Sequence, residues 1–250
     1  MWWIVTNCLV IGIKTHPLIA TAAEDDAEGR EEVERLLYLT TTVAECISSL
    51  VQHASVPSFA PLAEEEGAAV TQRLALILCR CATSTDTDIS ILCIGTMGFL
   101  GAKHDLLEAE GAQGAQSARG FIRVKINWLL SNSILRILDG ISNPSSEQDY
   151  AFLCEMCLSS FIDLHSSDDA DILQNFIKLK AIERLSAGLN IFEGIVKEMS
   201  EENKANKRRS NSANREKSED DSDFQGILAD FEETILNSHS FLEYKANYCK

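Results

Sequence analysis

Apolar residues recur three and four positions apart along most of this chain, in stretches separated by short polar or proline-bearing breaks. That spacing places side chains on one side of an α-helix. The clearest instance spans residues 150–199. Phe152, Leu153, Met156, Cys157, Ser160, Phe161 and Leu164 make one stripe, and Ile172, Phe176, Leu179, Ile182, Leu185, Leu189, Phe192 and Val196 make a second. Between them His165-Ser166-Ser167-Asp168-Asp169-Ala170-Asp171 reads as a polar turn. The pattern predicts a helical hairpin in which each helix buries its stripe against the other. Neither helix would be stable alone in water.

The same pattern extends in both directions. An acidic stretch at 24–34 leads into a helix that Pro57 and Pro61 end, since proline disrupts a helix interior. Val70, Leu74, Ile77, Leu78 and Cys81 form the next stripe, and Asp88 is the expected N-cap of the run that follows. That run, 89–102, is apolar almost all round, with Gly95, Gly98 and Gly101 three apart. Such glycines cost helix propensity, so their expected use is to let a neighbouring helix approach closely. They do not form a phosphate loop, which ends in Gly-Lys-Ser/Thr after a strand. Residues 111–120 read as a loop, and 121–141 as a helix stopped by Asn143-Pro144-Ser145-Ser146. Residues 200–223 carry almost no apolar side chain and read as a disordered linker, basic and then acidic. Phe224, Ile227, Leu228, Phe231, Ile235, Leu236, Phe241 and Leu242 restore the stripe near the end.

These elements predict an all-α protein, a HEAT/armadillo-like α-solenoid of antiparallel helix pairs with a C-terminal capping helix. A plain helical bundle is the alternative architecture. The expected divisions are an irregular or artefactual segment at 1–28, helical repeats at 29–199, the linker at 200–223 and the capping helix at 224–250. The apolar run at 2–13 has no basic residue before it and is too short to span a bilayer. Neither a secretion signal nor a membrane anchor is expected from it.

Charge narrows the range of partners. A formal charge of −16 argues against a nucleic-acid binder, which must neutralise phosphates with Lys and Arg. It favours basic partners, or serves solubility alone. Eight cysteines raise the question of disulfides or metal. Only Cys79 with Cys81 and Cys154 with Cys157 are closely spaced, and the five histidines are scattered. A zinc site needs two such pairs or a pair with suitably spaced His, so no metal or cofactor is expected. Cys46, Cys79, Cys93, Cys154 and Cys157 lie in apolar runs, where a free thiol acts as a small hydrophobe. Reduced thiols point to cytoplasm and nucleus.

No catalytic motif is present: there is no His-Glu-x-x-His, no Gly-x-Ser-x-Gly and no nucleotide loop. An enzyme is not expected. Asp168, Asp169 and Asp171 lack the Gly and terminal Glu of a calcium loop and read as a helix cap. The cluster Lys204, Lys207, Arg208 and Arg209 is a candidate nuclear-import signal, because a short basic run suits an acidic receptor groove.

The run Cys157-Leu158-Ser159-Ser160-Phe161-Ile162-Asp163-Leu164-His165-Ser166-Ser167-Asp168-Asp169, with Phe176, Leu179, Leu185, Leu189 and Phe192 after it, resembles the final HEAT repeat of the symportin family. These are adaptors that carry ribosomal proteins into the nucleus. Asn237-Ser238-His239-Ser240-Phe241-Leu242-Glu243-Tyr244-Lys245 is similar to the family's terminal helix, and residues 93–101 to a preceding repeat. The resemblance covers residues 31–250. It implies an adaptor and chaperone for the 5S-RNA-binding large-subunit proteins, in nuclear import and ribosome assembly, with an acidic surface shielding basic clients. The family's N-terminal armadillo repeats and importin-binding segment have no counterpart here, so the chain would match the C-terminal part of a member. An importin would be engaged through those other regions. A helical-repeat scaffold for an unrelated signalling or trafficking complex is the alternative.

Overall fold

A computed structural model describes residues 65–83, 87–109, 116–141, 147–211 and 220–248, with Tyr38, Thr42, Glu45, Cys46 and Ser49. Among the described residues all regular structure is α-helical. The helices are α1 (Glu65–Cys81), α2 (Thr87–Ala109), α3 (Gln116–Gly140), α4 (Glu147–Leu164), α5 (Ala170–Lys178), α6 (Ala181–Asn211) and α7 (Asp220–Tyr248). The expected segment 1–28 lies outside the described residues.

The helices pack in two rows. In one, α2 lies against α4 and α4 against α7; in the other, α1 lies against α3 and α3 against α6. Consecutive members α1–α2, α3–α4 and α6–α7 join the rows. The seam between α2 and α4 is built on small residues. A Cβ on Gly95 would come 3.0 Å from Met156 Sδ, one on Gly98 would come 3.0 Å from Ser160 Cα, and one on Gly101 would run into Leu164. Both sets of numbers rise together, so α2 and α4 run in the same direction. So do α4 and α7, since Phe152 meets Phe231 edge-on at 5.1 Å and, farther along both chains, the Asp168 turn meets Lys245. The predicted close approach at these glycines is therefore a row of parallel helices.

The core is continuous through both rows. Leu74, Ile94, Met97, Leu130, Ile134, Phe161, Phe176, Phe192 and Phe231 are all essentially inaccessible. On α7 the buried positions follow steps of three and four through Leu228, Phe231, Thr234, Ser238, Leu242 and Lys245. Leu236, which the sequence places in this stripe, lies off that series and is 66% exposed.

Several boundaries differ from expectation. The second helix of the 150–199 hairpin is two helices: α5 ends at Lys178, Lys180 takes a left-handed φ of 51°, and α6 starts at Ala181. Leu179 N–H closes onto Asn175 O and Lys180 N–H onto Ile177 O. The break lets α5 lie on α3 while α6 goes on to pack against α3, α4 and α7. Residues 200–211 of the expected linker continue α6, because Glu, Lys, Ala and Arg are strong helix formers and Glu201 stands three residues before Lys204. Residues 212–219 lie outside the described residues. The C-terminal helix starts at Asp220, four residues earlier than expected, and α3 starts at Gln116, inside the expected loop. Asp88 lies in the first turn of α2, where it complements the helix dipole, and does not cap it from outside.

Candidate functional site

The densest chemistry among the described residues surrounds the turn that ends α4. The last carbonyls of a helix have no partner within it, and here a neighbouring helix supplies one: Asn127 Nδ2, on α3, donates to Leu164 O at 2.8 Å. Asn175, on α5, donates from Nδ2 to Val124 O at 2.8 Å and to Asn127 Oδ1 at 3.1 Å. One turn along α3, Ser131 Oγ shares a 2.8 Å hydrogen bond with His165 Nε2. His165 stacks on Phe161 at 4.4 Å and meets the edge of Phe176 at 5.4 Å. Its expected place in a polar turn is thus corrected, because only 1% of the residue is exposed. A side chain four residues after Phe161 falls on the same helical stripe, and that stripe continues into the core.

Helix α7 closes the cluster. Lys245 is 2% exposed, and its Nζ donates to Ser167 O at 3.3 Å and Asp168 Oδ1 at 3.1 Å. The ammonium also lies 5.8 Å from the Phe241 ring centre and 5.4 Å from that of Tyr244, within cation–π range. Tyr244 Oη donates to Asp168 Oδ2 at 2.7 Å. The acidic turn therefore divides its labour. Asp169 Oδ1 accepts from Asp171 N and Ile172 N as the cap of α5, while Asp168 fastens the end of α7.

The electrostatics follow from that geometry. Burial drives the His165 imidazole down to about 3, with the Lys245 charge adding to it, so the ring is neutral at pH 7. Hydrogen bonds from Tyr244 and Lys245 hold the Asp168 carboxyl below its ordinary value, and the Asp168 partner raises the Tyr244 phenol. Four helices are thus joined through paired polar groups, an arrangement suited to fixing their mutual positions. The sequence assigns this cluster no role, and its only local signal is polar residues on apolar stripes: Asn127 and Ser131 four apart, and Lys245 three after Leu242.

The remaining candidates lie elsewhere. Lys204 is exposed on α6, and Lys207, Arg208 and Arg209 belong to the final turns of the same helix. Cys79, Cys81, Cys93, Cys154 and Cys157 are free thiols within or beside the core, but Cys46 is exposed, contrary to its expected burial. Burial pushes the Cys154 thiol up to about 12 and the Cys157 thiol well above its usual value, which leaves both poor nucleophiles. A hydrogen bond with Cys93 lowers Cys81, and the same bond raises Cys93. No three His, Cys, Asp or Glu side chains among the described residues are placed to hold a metal. No described helix is long and apolar enough to cross a membrane. Burial and the nearby Asp230 carboxylate of α7 raise half-buried Glu155 of α4.

In comparisons with protein-family models, curated proteins and solved structures, nothing matches this chain.

Proposed function

We propose that this chain is a non-enzymatic, acidic helical-repeat adaptor of HEAT/armadillo type that binds basic clients. The reading is carried by one observation: helices in two rows, three of them shown to run parallel in one row, on a chain of net charge −16. A row of like-directed helices with return helices beside it is the arrangement that stacked helix pairs produce. Stacked pairs of this kind offer an extended surface for a protein client. Half-buried Glu155 and exposed Asp230 stand on adjacent helices and repel each other, a pairing that a cationic partner would relieve. The likeness of 157–169 and 237–245 to symportin sequences narrows the client class to the basic 5S-RNA-binding ribosomal proteins, held during nuclear import and large-subunit assembly. Lys204, Lys207, Arg208 and Arg209 are the proposed import signal.

The test is affinity capture with the purified chain, using the 5S-binding ribosomal proteins as prey and an equally basic unrelated protein as control. Selective, salt-sensitive capture is expected. Equal capture of the control would reduce the reading to non-specific charge attraction, and no capture at low salt would overturn it.

A further inference from the structure

A second surface has the opposite sign. Between α1 and α3, bounded by the start of α4, lies a groove of about 740 Å³. Leu129, Asn132, Ser133, Arg136, Ile137 and Gly140 line its α3 side. Their spacing of three and four makes them one continuous helix face. From α1 come Leu76, Cys79 and Arg80, with Thr83 just beyond its end; Tyr150 and Leu153 close one side. Arg80 and Arg136 are exposed, and among the described residues neither is ion-paired. Among the described residues no Asp or Glu lines the groove, although acidic residues outnumber basic ones 38 to 22 in the chain. Leu76 offers an apolar surface that is 56% exposed.

We propose that this groove binds a short acidic peptide segment of a partner protein, held extended, with its carboxylates on Arg80 and Arg136 and an apolar side chain on Leu76, Leu129 and Ile137. Guanidinium groups present forked donors that match carboxylates, and the Asn132 amide adds a neutral donor beside them. From Leu129 to Gly140 the α3 face rises about 16 Å, room for roughly five residues of extended chain. An open trough of that length between two helices suits a peptide better than a compact small molecule, which pockets bury on most sides. The site is independent of the acidic-surface reading, because it selects ligands of the opposite charge.

Fluorescence anisotropy of the full chain with a fluorescein-labelled peptide, Glu-Glu-Leu-Glu-Glu-Leu-Glu-Glu, tests the proposal against the same peptide carrying Gln for Glu. The acidic peptide is expected to bind about tenfold tighter at low salt, and the Arg80→Glu/Arg136→Glu double variant to lose roughly that factor. Lys197→Glu, a charge change at an exposed position of α6, should leave binding unchanged. Should the double reversal lose helical circular dichroism, Arg80→Gln/Arg136→Gln provides the comparison. Equal binding of the two peptides, or acidic-peptide binding indifferent to both arginines, would overturn the site. Inorganic phosphate that binds through the arginines while the peptide does not would overturn the peptide as occupant.

Discussion

Helix α4 meets its neighbours in opposite ways along its length and just past its end. Along its length α4 faces α2 across a dry seam in which Gly95, Gly98 and Gly101 bring the two backbones together. At its end it runs into a polar cluster of Asn127, Ser131, His165, Asn175 and Lys245, each buried. In the seam, close packing depends on the absence of side chains, and any added atom meets a neighbour. In the cluster, every group depends on a partner 34 to 78 residues away. The seam can be specified by a local rule of spacing, whereas the cluster exists only once the rows have assembled. The first fixes how close the helices come and the second fixes where they stop.

The seam should therefore be the less forgiving of the two. Gly98→Leu places a branched side chain where even a Cβ would stand 3.0 Å from the Ser160 backbone, so α4 must move as a body. A loss of about 3 kcal/mol or more is expected from overpacking of this kind, read as a lower urea midpoint. A loss below about 1 kcal/mol would show that the seam is loosely packed. In the cluster, Lys245→Ala removes a buried stem and two hydrogen bonds and should cost about 2 kcal/mol. Lys245→Met restores the stem without the charge and should recover part of that loss. If Met were no better than Ala, Lys245 would act through its ammonium contacts and not through its stem.

This contrast also separates what the sequence made legible from what it did not. The all-helical class, the stripes of α4 and α6, and the use of the three glycines follow from periodicity that any window of the chain displays. His165, Asp168, Tyr244 and Lys245 do not, because a polar residue beside a turn looks the same whether it faces water or a helix 77 residues later. Asp169 was legible as a cap because its partners, Asp171 N and Ile172 N, are two and three residues away. Asp168, its neighbour, was not. The end of α6 escapes the sequence pattern for a different reason: residues 200–211 are polar enough to resemble a linker, yet helix propensity needs no apolar stripe.

Titration offers a gentler probe of the cluster. In the unfolded chain His165 takes up a proton near its ordinary value of 6.5, whereas in the fold it resists down to about 3. Between those limits the unfolded state holds the extra proton, so stability falls as pH falls. The slope approaches about 1.4 kcal/mol per pH unit for one proton. Asp168, held below its ordinary 3.8, adds a loss in the same direction only at lower pH. Glu155 and Asp163 are raised and act oppositely, gaining stability as they protonate. Stability measured by urea denaturation from pH 7 to pH 4 should decline in the parent chain and decline less steeply in His165→Leu. Parallel curves would mean that His165 already titrates in the fold and that the cluster admits water.

The smallest predicted effect lies at the joint between the two kinds of region. Leu179 and Lys180 link α5, whose Asn175 belongs to the polar cluster, to α6, whose Gly188 lies hard against Leu138 of α3. Lys180 adopts φ 51° there, a left-handed backbone that costs an L-residue about 1 kcal/mol or somewhat more. Its side chain is exposed, so replacing it removes no packing. Glycine takes this conformation without a Cβ penalty, but it also loses more backbone freedom on folding, which offsets part of the gain. Lys180→Gly should thus stabilise the chain by roughly 0.5–1 kcal/mol. Lys180→Val, whose branched side chain tolerates positive φ poorly, should destabilise it. If glycine lowered the urea midpoint, the joint would not be strained, and α5 and α6 would behave in solution as the single helix that their shared stripe predicts.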